Sequence, residues 1–124
     1  MRNIKVLIID DEEELVTTLV ERLEYRNIDA VGALTGQEGL NLAGERTFDL
    51  VLLDLKLPGM SGLEVLRQLK REQPGVKVLL ITGHGATSDD DEVVPEGAFD
   101  FLPKPIDIST LISRMHEALA SDKQ

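Results

Sequence analysis

Short apolar runs alternate along this chain with longer stretches in which apolar residues recur every third or fourth position. That alternation is the pattern of βα units around a parallel sheet. The run Lys5-Val6-Leu7-Ile8-Ile9 predicts a buried first strand. From Glu13 to Tyr25, Leu15, Val16, Leu19, Val20 and Leu23 keep helical spacing, and the acids Glu12 to Glu14 suit the positive end of that helix. A second strand is predicted over Asp29 to Ala33. Thr35 and Glu38 have the spacing of a capping box and start a second helix with Leu40 and Ala43 on one face. Leu50 to Leu53 is the most apolar strand and ends at Asp54. Pro58, Gly59 and Gly62 mark a loop, and Ser61 with Glu64 forms a second capping box, opening a helix that carries Leu63, Leu66 and Leu69. Val76 to Ile81 predicts strand four and Phe99 to Leu102 a short strand five. After Pro103-Lys104-Pro105 a last helix turns Leu111, Ile112, Met115 and Leu119 inward.

At 124 residues and 13.7 kDa, one domain over 1–124 is expected, large enough to bury a core without staples. Hydrophobic residues at 42% and charged residues at 29% argue against disorder. No apolar run approaches the roughly 18 residues of a bilayer span, and no signal-peptide pattern opens the chain. Membrane insertion is therefore not expected. The lack of cysteine excludes disulfides and thiol redox chemistry and is compatible with a reducing cytoplasm. A net charge of −10 opposes direct binding to nucleic acid, so any control of DNA would need another chain or domain.

In an open α/β sheet, ligands bind beyond the carboxyl ends of the strands. The polar residues predicted there are Asp10 and Asp11 after strand one, Asp54 after strand three, Thr82 after strand four and Lys104 after strand five. Three carboxylates at neighbouring strand ends repel one another unless a cation lies among them, and hard oxygen ligands suit Mg²⁺ or Mn²⁺. Asp11 and Asp54 are the expected direct ligands, with Asp10 acting through water. Asp54 can then serve as a nucleophile that forms an aspartyl phosphate. Lys104 and Thr82 would stabilise the charge on the transferred group from the other side. Taken singly, each of these residues has an ordinary structural role: Asp10 and Asp11 as helix-start acids, Asp54 as a turn cap, Thr82 as a strand-end hydroxyl, Lys104 as a solvated cation. Their coincidence on one sheet edge favours a site.

The chain resembles the receiver domain of bacterial two-component response regulators over essentially its whole length. The resemblance rests on VLIIDDE at 6–12, VLLDLKLPGMSGLEVL at 51–66, LLITGHG at 79–85 and GAFDFLPKP at 97–105. It implies a flavodoxin-like, doubly wound five-stranded parallel sheet of order 2-1-3-4-5 with five helices. It implies phosphoryl transfer to Asp54 from the phosphohistidine of a sensor histidine kinase or histidine phosphotransfer protein, with Asp10 and Asp11 holding Mg²⁺. Thr82 and Lys104 would contact the phosphoryl group, the Lys104–Pro105 bond would be cis, and Lys56 would offer its backbone carbonyl to the metal. Phe101 matches the switch position, and Lys56 and His84 match positions that tune phosphoryl lifetime. Output would pass through the surface of helix four, strand five and helix five to an effector protein or fused output domain. The expected behaviour is that of a cytoplasmic switch assisting its own phosphorylation and dephosphorylation, not that of a turnover enzyme.

Three other functions compete. A degenerate receiver would keep the fold as an interaction module without phosphorylation, but such modules usually lose an acid or the lysine. A phosphatase of the haloacid dehalogenase type needs a second carboxylate two residues after the nucleophile, where this chain has Lys56. A flavin site needs a glycine-rich phosphate loop after strand one, where DDEEE stands instead. His84 and His116 lack partners for zinc. The chain departs from the family pattern over 86–96, where ATSDDDEVVPE replaces an apolar-faced helix. Mutual repulsion of the acids and Pro95 predict that the fourth helix, about Ser88 to Val94, is short or frayed.

Overall fold

The computed structural model describes residues 3–83 and 94–121. Five parallel strands form one sheet: β1 (Lys5–Ile9), β2 (Asp29–Ala33), β3 (Leu50–Asp54), β4 (Lys77–Thr82) and β5 (Asp100–Pro103), in the order β2-β1-β3-β4-β5. The helices among the described residues are α1 (Glu13–Glu24), α2 (Gly36–Glu45), α3 (Gly62–Glu72) and α4 (Ile108–Ala120). α4 is the helix expected to come last. The short fourth helix expected near Ser88 to Val94 falls almost entirely outside the described residues.

Strand periodicity divides the core in two. Val6, Ile8, Leu50, Leu52, Leu79 and Ile81 face Val16, Leu19 and Leu23 of α1 and Leu111, Met115 and Ala118 of α4. The alternate residues Leu7, Ile9, Val51, Leu53, Val78 and Leu80 face Leu40 and Ala43 of α2 and Val65, Leu66 and Leu69 of α3. With both faces covered, β3 is buried at all five positions, as a central strand without polar alternation should be.

The helix starts follow from local chemistry. Thr35 accepts the N–H of Glu38 at 3.0 Å, and the Glu38 carboxylate reaches back to the N–H of Leu34 at 3.0 Å. Ser61 likewise accepts the N–H of Glu64 at 3.2 Å, but here the Glu64 carboxylate turns outward to Arg67 and Gln68. Partners one turn along the helix thus win over the second half of that capping box. Asp107 caps α4 through the N–H of Thr110 at 3.0 Å.

Leu63 is 43% exposed, because the buried stripe of α3 runs through Gly62, Val65, Leu66 and Leu69 and leaves position 63 beside it. Ile112 and Leu119 are only half-buried at the edge of the core. β4 begins one residue later than Val76, whose N–H closes a turn to the Gln73 carbonyl, and β5 runs one residue later than the apolar pattern predicts.

Candidate phosphoryl and metal site

The strand order reverses direction between β1 and β3, which pair with Ile9 opposite Leu53. A crevice opens at such a switch point. Asp10 is the first residue past β1 and Asp54 the last of β3, so the two acids stand side by side at its mouth.

Both are held in the same way. One oxygen of each accepts the backbone N–H two residues on: Asp10 Oδ1 from Glu12 at 2.9 Å, Asp54 Oδ1 from Lys56 at 3.0 Å. These local turns fix the carboxylates. The other oxygens face the Lys104 ammonium, with Nζ at 3.1 Å from Asp10 Oδ2 and 3.5 Å from Asp54 Oδ2. Lys104 reaches them because its N–H donates to the Thr82 carbonyl at 2.9 Å, tying the chain after β5 to the end of β4. The Lys104–Pro105 bond is cis, as the resemblance implies.

Asp10 is fully buried and Asp54 nearly so, whereas Asp11 is exposed. Carboxylate oxygens of all three lie within 4.8 Å of one another. Burial pushes the Asp10 carboxyl above its ordinary range, and the Asp54 charge adds to this against the pull of the Glu12 N–H and Lys104. For Lys104 burial works the other way and would lower the ammonium, but Glu12, Asp10 and Asp54 together overcome it and hold the lysine well above its usual range. Both groups are shifted upward, which disfavours the charged form of Asp10 and favours that of Lys104, because the lysine meets several carboxylates while buried Asp10 meets one cation.

Among the described residues the site therefore carries an excess of negative charge, with Asp10, Asp11, Glu12 and Asp54 gathered about the Lys104 ammonium. Asp10 Oδ2 is moreover buried, and among the described residues it meets only the Lys104 ammonium, as an ion pair at 3.1 Å that the lysine shares with Glu12 and Asp54. A buried carboxylate oxygen in that state is costly unless a further cation meets it. An all-oxygen cluster with surplus charge fits a hard divalent cation such as Mg²⁺.

Thr82 ends β4, half-buried beside this cluster. Phe101 lies on β5, half-buried against the core on the α2 and α3 face, opposite Leu80 of β4. Lys56 is exposed, its N–H committed to Asp54. His84 lies outside the described residues. The structure thus brings Asp10, Asp11, Asp54 and Lys104 together, with Thr82 joined through the main chain. It also adds Glu12, which sequence reasoning assigned only to the start of α1: its Oε1 lies 2.7 Å from Lys104 Nζ. Within a run of five acids at 10–14 nothing marks Glu12 as different, so no local signal could have found that contact.

A parallel sheet of order β2-β1-β3-β4-β5, with acids and a lysine gathered at its switch point, places the chain in the flavodoxin-like doubly wound class. The response regulator receiver domain model matches residues 6–116, and the chain belongs to that family. It is 40% identical over 92% of its length to the transcriptional regulatory protein YkoG of Bacillus subtilis and 37% identical over 97% to the response regulator ArlR of Staphylococcus saprophyticus. The chain spans about half the length of those curated relatives, 50% and 54% respectively. Among solved structures, a response regulator receiver domain protein from Clostridium thermocellum superposes with a TM-score of 0.84 at 32% identity, covering 94% of each chain. The receiver domain of NtrX from Brucella abortus gives 0.85 at 28% identity, over 94% of this chain and 99% of that one. Among the described residues no helix is long and apolar enough to cross a membrane.

Proposed function

We propose that residues 1–124 form one receiver domain acting as a phosphorylation switch, with Asp54 as the phosphoryl acceptor. The observation that carries this reading is the placement of Asp54 at the β3 end, where Lys104 Nζ reaches both it and Asp10. The donor is the phosphohistidine of a sensor histidine kinase or histidine phosphotransfer protein. An Asp54 carboxylate oxygen attacks phosphorus, the nitrogen–phosphorus bond breaks, and the imidazole leaves with the bonding pair and takes up a proton. The product is an acyl phosphate, whose hydrolysis by water returns the carboxylate and releases inorganic phosphate.

Asp10, Asp11 and Asp54, with the Lys56 carbonyl, would hold Mg²⁺ or Mn²⁺. When bound, such an ion supplies positive charge to the phosphoryl oxygens. Lys104 supplies charge from the opposite side, already positioned by its main-chain bond to Thr82. The Thr82 hydroxyl donates to a phosphoryl oxygen, and Phe101 responds on the neighbouring strand. Lys56 and His84 occupy the sequence positions that tune the lifetime of the phosphoryl group. The changed surface of β5, α4 and the segment before β5 signals to an effector protein or output domain, in the cytoplasm and without turnover of a substrate.

Intact mass after incubation with acetyl phosphate and Mg²⁺ tests this reading. One added phosphoryl group, labile to hydroxylamine and lost in Asp54→Asn, is the expected result. A wild-type mass unchanged at saturating donor and metal would replace the switch with a non-phosphorylated interaction module.

A further inference from the structure

Lys104 Nζ has three carboxylates within reach and does not treat them alike. It lies 2.7 Å from Glu12 Oε1, 3.1 Å from Asp10 Oδ2 and 3.5 Å from Asp54 Oδ2. Its side-chain hydrogen bond goes to Glu12. Asp10 Oδ2, fully buried, meets the same ammonium only as an ion pair. The ammonium thus sits nearest the Glu12 carboxylate while still pairing with both oxygens that would ligate a cation.

That orientation matters because ammonium and metal compete for the same atoms. An ammonium settled on Asp10 Oδ2 and Asp54 Oδ2 would neutralise the oxygens a divalent ion must bind, and its positive charge would oppose the ion's entry. We infer that Glu12 is a positioning residue that competes with Asp10 and Asp54 for the Lys104 ammonium and so eases the entry of a divalent cation between those two acids. This rests on the cation-assisted reading above and adds a residue to it. Glu12 acts through Lys104 and touches neither the phosphoryl group nor the metal. Its side chain makes no cap hydrogen bond at the start of α1, so replacing it breaks no cap there.

Removing Glu12 also removes a negative charge near the site, and the experiment separates the two effects. Mg²⁺ affinity is measured by titration calorimetry on the full, unphosphorylated chain. Glu12→Gln should bind Mg²⁺ about two- to fivefold more weakly than wild type, the range that a half-exposed ion pair supports. Glu13→Gln, which removes a neighbouring charge without a bond to Lys104, sets the size of the plain charge effect. In the Lys104→Met background the loss from Glu12→Gln should shrink to that level. Glu12→Asp keeps the charge but is one methylene short, and should resemble Glu12→Gln more than wild type. This last comparison stands even if Lys104→Met does not fold.

Equal losses with and without Lys104, or a Glu12→Asp variant that binds like wild type, would overturn the inference by reducing Glu12 to a bulk charge. If wild type accepts a phosphoryl group and binds Mg²⁺ while Glu12→Gln is indistinguishable from it, the inference alone falls. A wild type that shows no Mg²⁺ binding at millimolar concentration removes the cation-assisted reading and this inference together.

Discussion

Gly62, the first residue of α3, lies directly against the main chain of Leu55. Its N–H donates to the Leu55 carbonyl at 3.1 Å, and a Cβ built on it would sit 2.5 Å from Leu55 Cα and 2.8 Å from the Asp54 carbonyl oxygen. The start of α3 is therefore pinned to the residue that follows Asp54. Because the obstructing atoms are backbone, no side chain can swing aside.

Gly62→Ala should accordingly move the Asp54–Leu55 main chain or shift α3, at a cost of about 1–3 kcal/mol for overpacking. Urea denaturation reads the stability loss, and the rate of mass gain with acetyl phosphate reads the displacement of Asp54. A variant equal to wild type in both would mean that the loop yields freely. Gly75, where an added Cβ meets nothing within 4 Å, is the control position.

The Asp107 cap offers a pH test remote from the acid cluster. The Thr110 N–H and then its hydroxyl hold the Asp107 carboxyl below its ordinary range. A carboxyl lowered on folding binds fewer protons in the native than in the unfolded state, so its contribution is present above the unfolded value, about 3.9, and is lost as pH falls through the lower native value. Asp107→Ala should therefore destabilise the chain at pH 7, and the difference from wild type should narrow on going to pH 3. A difference constant across that interval would show that the carboxylate form contributes nothing particular to the cap.

Both core faces were legible beforehand because strand alternation and helix spacing are local patterns, and Leu50 to Leu53 could be recognised as central from its unbroken apolarity. Asp54, Asp10 and Lys104 were legible because strand ends on one sheet edge must converge. The exact buried stripe of α3 was not legible, because a stripe of positions 63, 66 and 69 and one of 62, 65, 66 and 69 differ by the burial of a glycine, which carries no hydrophobic signal. Glu12 was missed because its partner lies 92 residues away, beyond any pattern read along the chain. Gln73 was invisible for the same reason.

That Gln73 contact yields a stability prediction far from the site. Its Nε2 donates to the Ala43 carbonyl at 2.6 Å and to the Arg46 carbonyl at 3.1 Å, while Oε1 accepts the Phe48 N–H at 3.1 Å. One side chain thereby joins the end of α3 to the end of α2 and the approach to β3. Gln73→Ala leaves those groups without their partner and should cost about 1–3 kcal/mol. Phosphorylation with acetyl phosphate should proceed at the wild-type rate, since Gln73 lies at the opposite end of the sheet from Asp54. A slowed reaction would mean that the lower edge of the sheet communicates with the acceptor.

Divalent cations should stabilise the fold, because the native state gathers Asp10, Asp11 and Asp54 and the unfolded chain does not. A ligand that binds only the native state stabilises it by RT ln(1 + [L]/Kd), or about 1.4 kcal/mol at ten times Kd. Starting from chelator-treated protein, the thermal midpoint should rise with Mg²⁺ concentration and respond similarly to Mn²⁺, whose preference for oxygen ligands is alike. Asp11→Asn should lose most of that rise while changing the metal-free midpoint little, since Asp11 is exposed and only its role toward the cation is removed. Asp29→Asn provides the comparison for a surface acid outside the cluster, one that pairs with Lys5 at 3.6 Å. If Mg²⁺ shifts the midpoints of wild type, Asp11→Asn and Asp29→Asn equally, the stabilisation is a general ionic effect and the three carboxylates do not form a cation site.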